Sequence, residues 1–337
     1  MGRFLGPDST LLTDSGFFGE AIAPPVVSTG WIARTIATSA SNFLSNVTAD
    51  GGTALLVDGN GELWRSTDGG MTWADTGNAF PVDLYVICAS AGTFLLFSIT
   101  GNTLFRSTNG GTTWSAPITT TVSSNVPGTA NGLGHWIVGD VASGNISASL
   151  DDGLTWVTVV NPAGLDHWVI SLIWDGAQYI ASGLLPLTGQ SAVTTSANGV
   201  LWMTTPVDPF PPEQINNTWG QIAGQYLAPI FSGAAGCPVR RDISPAAVAT
   251  STDILTNLPG NTIQCVLTGN GKAWAFDDQG NVAGSTDGLS WTQVPLNFLP
   301  GDAANSLFQA YDAVNHQFIA IGALNISIST HTDADIS

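Results

Sequence analysis

Apolar residues in this chain come in short runs, broken every few positions by Gly, Asn, Asp or Ser. "LYVICAS" (Leu84–Ser90) is followed by "TFLLFSI" (Thr93–Ile99), "TLFRST" (Thr103–Thr108) and "TTWSA" (Thr112–Ala116). Runs of this length, rich in β-branched and aromatic residues and bounded by turn formers, predict strands rather than helices. The same four-strand parse fits "LSNVTA, TALLVDG, ELWRST, MTWAD" from Leu44 to Asp75. It also fits "IQCVLTG, KAWAFDD, NVAGST, SWTQV" from Ile263 to Val294.

Between the third and fourth run of each unit a phrase returns. It reads Ser66, Asp68, Gly70, Trp73, then Ser107, Asn109, Gly111, Trp114, then Ser149, Asp151, Gly153, Trp156. Ser196, Asn198 and Trp202 form a fourth copy, and Ser285, Asp287 and Trp291 a fifth. The steps from tryptophan to tryptophan are 41, 42, 46 and 89 residues. A last gap of double width predicts a degenerate copy, and "ATSTDILTNL" supplies one through Ser251 and Asp253 without glycine or tryptophan. A period of roughly 40 to 50 residues built from four short antiparallel strands is that of a propeller blade. The residue types suit a self-contained turn. Ser and Asp or Asn side chains bond nearby backbone N–H groups, glycine takes positive φ, and the indole packs on the neighbouring sheet.

The phrase S-x-D-x-G-x-T-W resembles the Asp-box, or BNR repeat, of sialidases, sortilin-type receptor domains, photosystem assembly factors and bacteriophage tail-associated proteins. The resemblance implies a β-propeller with the box on the face opposite the ligand site. Boxes at 66, 107, 149, 196, 251 and 285 account for six blades. Three further runs, "SLFQAYDAV", "HQFIAIGAL" and "NISISTH", lack a fourth. Trp31 precedes Phe43 as Trp73 precedes Tyr85, so the strand around Gly30–Thr35 is expected to complete the last blade. The expectation is therefore an all-β, seven-bladed propeller over residues 28–337, closed by its N-terminal strand, with residues 1–27 as an extended arm.

Composition narrows the function. The chain has 337 residues, seven Lys plus Arg against 25 Asp plus Glu, and a net charge of −18, which disfavours nucleic acid and anionic lipid as partners. No long apolar run suggests a membrane span, and the N-terminus lacks a recognisable leader. Cys88, Cys237 and Cys265 include no CxxC and read as reduced thiols, Cys88 and Cys265 as small buried hydrophobes. The sialidase arginine triad cannot be assembled. Arg65 and Arg106 precede boxes, Arg34 lies on an outermost strand, Arg3 is in the arm, and only Arg240 and Arg241 remain, expected in a loop. His135 and His316 read as repeat positions at the start of second strands, His167 as opening an inner strand and His331 as tail, so no metal, cofactor or catalytic set is expected. Asp58, Asn60 and Glu62 imitate the start of a calcium loop without its closing acid.

Two insertions, Pro206–Asn217 and Ser232–Ser244, are placed on the ligand face of the fifth blade. They carry Phe210, Arg240 and Arg241 as candidate partner contacts. The resemblance points to a non-catalytic structural or interaction protein of a bacteriophage virion, anchored by its arm to other protein subunits and made in the host cytoplasm. The alternative is a carbohydrate-binding or glycoside-hydrolysing propeller that contacts a host-surface glycan.

Overall fold

The computed structural model describes residues 31–38, 47–80, 85–98, 102–120, 128–140, 144–159, 167–184, 191–205, 214–215, 220–222, 224–231, 238–242, 252–260, 263–294, 307–322 and 327–332. Among these residues every regular element is a strand, so no helix is long and apolar enough to cross a membrane.

The strands among the described residues form seven separate antiparallel sheets. The first joins Thr48–Asp50, Thr53–Val57, Glu62–Ser66 and Ala74–Ala79 in chain order. The second, third, fourth and sixth repeat that order over residues 85–119, 128–159, 167–205 and 263–294. In the fifth, two short pieces, Gln214–Ile215 and Gly220–Ile222, both pair with Gln225–Phe231, which continues to Pro238–Asp242 and Thr252–Leu255. The seventh takes Leu307–Asp312, Gln317–Gly322 and Ser327–Thr332, and its outer strand is Ile32–Arg34. Ile32 lies opposite Thr330 and Arg34 opposite Ile328, and Arg34 Nε donates to Thr330 Oγ1 at 3.0 Å. The architecture is an all-β propeller.

The core is divided into wedges, each shared by two neighbouring sheets. Leu55 and Leu63 of the first sheet meet Phe94 and Leu96 of the second. Ala54, Leu56 and Trp64 of the first meet Ala310, Ile319 and Ile321 of the seventh. Trp31 stands fully buried between the sixth and seventh, its ring edge-on to Trp274 at 5.4 Å and to Phe276 at 5.2 Å. Second strands are covered from both sides, so Thr53–Val57, Thr93–Ser98 and Gln317–Gly322 are buried along their whole length. That is why they read as continuous apolar runs and not as alternating ones. Each buried Leu, Ile or Phe contributes roughly 1.5–3 kcal/mol.

The structure departs from the sequence pattern at three places. Asp253 lies inside the strand Thr252–Leu255, opposite Arg240, and not in a turn before a fourth strand; Ser251 lies outside the described residues. The third strand of the fifth sheet ends at Asp242, so a turn beginning at Ser251 would be in the wrong phase. Arg240 and Arg241 lie in Pro238–Asp242, with Ala228 and Leu227 as their partners on the inner side, and not in a loop. His331 belongs to Ser327–Thr332 and is buried against Trp31 and Trp274, because the strand supplied by residues 32–34 covers it.

Candidate functional site

The two ends of the sheets differ in chemistry. One end carries the recurring turns between third and fourth strands together with the turns between first and second strands. The other carries the turns between second and third strands and the connections between successive sheets.

At the first end the recurring turn is a closed hydrogen-bonded unit. Ser66 Oγ accepts from the Gly70 amide at 2.9 Å and donates to Asp68 Oδ1 at 2.8 Å. Asp68 in turn accepts from the Thr72 amide at 2.9 Å and the Thr72 hydroxyl at 2.6 Å. The Trp73 indole N–H closes on the Gly70 carbonyl at 3.0 Å. Ser149, Asp151, Gly153 and Trp156 repeat each of these bonds. Asn109 does the same work through its amide oxygen, and Asn198 serves a shorter version of the turn. In the sixth sheet Ser285 and Asp287 bond as expected, but the buried Trp291 indole N–H has no hydrogen-bond partner among the described residues.

Each turn also grips the preceding sheet. Gly111 has φ +76°, and a Cβ there would stand 2.6 Å from Leu55 of the first sheet. Gly153, with φ +82°, faces Leu95 of the second sheet in the same way at 2.9 Å. Glycine is thus required both by conformation and by the approach of a neighbouring side chain. Arg65 Nε donates to the Gly110 carbonyl at 2.8 Å, and Arg106 Nε to the Asp152 carbonyl at 2.6 Å, with the Arg106 guanidinium paired to the Asp152 carboxylate. These forward-reaching arginines had no signal in the sequence beyond their equivalent positions on third strands.

The carboxylates of the turns are held ionised. Partial burial alone would raise Asp68 and Asp151, yet hydrogen bonds from Thr72 and Ser66, and from Thr155 and Ser149, keep both below the ordinary 3.8. Asp287 is lowered mainly by the Ser290 and Leu289 amides. Asp175, in a turn of the fourth sheet, is also lowered, since bonds from the Tyr226 hydroxyl and the Gln178 and Ala177 amides outweigh its desolvation.

The other end carries a second recurring carboxylate that the sequence reading did not recognise. Asp58 is fully buried after the second strand of the first sheet and accepts from the Asn60 and Glu62 amides and from Trp64 Nε1. Asp277 holds the equivalent place in the sixth sheet, accepting from Gln279 and Asn281 amides and from Gly260 on the connection from the fifth. The "DGNGE" segment is therefore a turn organised by Asp58, whose oxygens are already engaged by protein donors. Its visible signal was the spacing Asp58–Asn60–Glu62 echoed at Asp277–Gln279–Asn281. Cys88 and Cys265 are buried free thiols; desolvation pushes Cys88 up to about 12 and raises Cys265 further. Phe210, Cys237 and residues 1–30 lie outside the described residues, and so do most positions of the two insertions. Among the described residues no three of His, Cys, Asp and Glu converge as metal ligands would.

Residues 23–133 match the family described as the DUF6242 beta propeller domain. No curated protein matches the chain at a significant level. Among solved structures, YCF48 from Cyanidioschyzon merolae is similar over 91% of this chain and 100% of its own, with 18% identity and a TM-score of 0.68. YCF48 bound to a D1 peptide aligns over 92% of this chain and 99% of its own, at 17% identity and a TM-score of 0.64. Virginiamycin B lyase from Staphylococcus aureus covers 90% of this chain and 98% of its own, at 10% identity and a TM-score of 0.67. At these identities the likeness establishes the propeller fold, which is shared by a peptide-bound protein and by an enzyme.

Proposed function

We propose that this chain is a non-catalytic interaction module whose seven sheets close into one ring of seven blades, Ile32–Arg34 completing the last. In this reading residues 28–337 are the propeller and residues 1–27 an arm that anchors it to protein subunits of a larger assembly. The assembly is a bacteriophage virion, the class suggested by the resemblance of the recurring turn to that of tail-associated proteins.

The observation that carries the reading is the engagement of the acidic groups. Asp58, Asp68, Asp151, Asp277, Asp287 and Asp312 each accept from two or more backbone amides of their own turn. A carboxylate whose oxygens are already engaged by several fixed donors of its own turn has little freedom to reach a substrate proton. Ring closure is supported by the apolar wedge between the first and seventh sheets and by the strand Leu307–Asp312, which lies against both Thr48–Asp50 and Ile263–Gly269. A protein partner is supported by the peptide-bound YCF48, a propeller of the same extent.

The test is co-sedimentation of the full chain, and of a chain starting at residue 28, with particles from cells making both. The full chain should pellet with the particle and the shortened one remain in the supernatant. A full chain that stays soluble and monomeric, or that turns over a panel of fluorogenic glycosides, overturns the reading.

A further inference from the structure

The end of the molecule that carries the recurring turns is not uniformly polar. Leu133 is 82% exposed, Leu201 74%, Leu154 55% and Leu150 53%. All four belong to the third and fourth sheets, whereas among the described residues the other sheets expose single apolar residues at this end, Val314 on the seventh, Leu289 on the sixth and Met71 on the first. Leu150 and Leu154 flank Asp151 in the third recurring turn, Leu201 precedes the tryptophan of the fourth, and Leu133 is in the turn between first and second strands of the third sheet. The Asp152 amide donates to the Gly134 carbonyl at 2.7 Å, and the Tyr179 hydroxyl donates to the His135 carbonyl at 3.2 Å. These bonds draw the 131–135 turn, the third recurring turn and the fourth sheet into one sector.

The clasp itself does not need these leucines. The second recurring turn makes the same internal bonds with Thr108 where the third has Leu150, and with Thr112 where the third has Leu154. Side chains left this exposed add little to folding, and apolar surface gathered in one sector marks a contact surface.

Charge identifies the kind of partner. Between Arg106 and Arg240 the sequence contains no lysine or arginine. Asp151 and Asp175 lie on this face, in turns of the third and fourth sheets, and the Arg106 guanidinium that reaches the third turn is already paired with Asp152. A second copy of an acidic chain would be repelled, whereas a cationic apolar segment would gain on both counts.

We propose that this leucine sector docks a cationic amphipathic segment of a partner protein, its apolar side chains on the four leucines and its Lys or Arg groups toward Asp151 and Asp175. The proposal rests on the reading of the chain as a protein-binding module and names the face and the chemistry of the partner.

The probe is a labelled synthetic peptide of roughly 18 residues, about five helical turns, with leucine on one face and lysine on the other. One companion peptide replaces lysine by glutamate. Binding is read by fluorescence anisotropy against the full chain and a variant carrying L133S, L150T, L154T and L201S, whose threonines are those the second turn already accepts. The variant should keep its melting temperature and bind the lysine peptide about tenfold or more weakly, the weight of one or two leucines released from contact. The glutamate peptide should bind the full chain weaker by a similar factor. D151N together with D175N should weaken the lysine peptide severalfold with all leucines present, since the D151N side chain keeps the kind of acceptor oxygen that Asn109 uses. Equal binding by the leucine variant would mean bulk attraction to an acidic protein and overturn the proposal. So would equal binding of the two peptides, or concentration-dependent self-association that the leucine variant abolishes. Loss of peptide binding by a variant that still pellets with particles leaves the assembly reading intact, and the reverse result removes that reading alone.

Discussion

The third and fifth sheets both run outward in chain order, the fifth with its first position split into two short pieces, but they are fastened differently. The third carries its own clasp: Ser149, Asp151, Gly153 and Trp156 bond among themselves, and Gly153 seats on Leu95 of the second sheet. The fifth has no such turn in its described residues and is held from outside. Tyr226 reaches back to Asp175 of the fourth sheet at 2.7 Å, and the Gly288 turn of the sixth packs on Ile222 and Leu227. A propeller sheet can therefore be held by bonds local in sequence or by bonds its neighbours provide, and only the first kind leaves a recurring signature in the chain.

Glycine substitutions break this comparison most sharply. At Gly153, alanine must adopt φ +82° and displace Leu95, so Gly153→Ala should cost about 2–4 kcal/mol of unfolding free energy. At Gly224, in the fifth sheet, φ is +74° but none of the described residues would lie within 4 Å of an added Cβ, so Gly224→Ala should cost only about 1–2 kcal/mol. Equal losses in chemical denaturation would mean that the grip on the preceding sheet has no weight.

A smaller effect is expected where the fifth sheet depends on the fourth. Tyr226→Phe removes a hydroxyl bonded to an ionised carboxylate and should cost about 1–2 kcal/mol. Hydrogen exchange should then accelerate in residues 225–231 while Ser149–Trp156 remains protected; uniform acceleration would argue against separate fastening.

The smallest effect concerns acid. Asp68, Asp151 and Asp287 have folded values below 3.8, so their contribution is complete above that pH and lost as the pH falls through the lowered folded values. The second and fourth turns use Asn109 and Asn198, which do not titrate. Asn109→Asp should leave neutral stability within about 0.5 kcal/mol, because Thr113 can donate its hydroxyl as Thr72 does, and should steepen the loss below pH 3.8. An unchanged acid limb would show that these groups contribute nothing to pH dependence.

The strands and the recurring turns were legible in the chain, since strand runs and clasps are made of neighbours in sequence. The pairing of Ile32–Arg34 with Ser327–Thr332 was legible too, through the one tryptophan, Trp31, standing where a clasp would end. The phase of the fifth sheet was not. "STD" at 251–253 has the right letters, but in the structure Asp253 is opposite Arg240 within the sheet. Thr252 and Asp253 are accommodated in a short outer strand, so three letters without Gly and Trp carry no phase. The turn-forming role of the buried acids Asp58 and Asp277 was missed for a related reason: each is held largely by backbone amides, which carry no side-chain signature. Exposed leucines were invisible because the sequence does not distinguish a leucine that is buried from one that is left in water.

The register that sets Ile32 beside Thr330 joins residues almost a whole chain apart. During synthesis the first sheets can collapse and clasp as they leave the ribosome, while Trp31 must wait until residue 330 has been made. Contacts of such long range fold slowly, so refolding should show a late phase in which Trp31 fluorescence changes after the other sheets are protected.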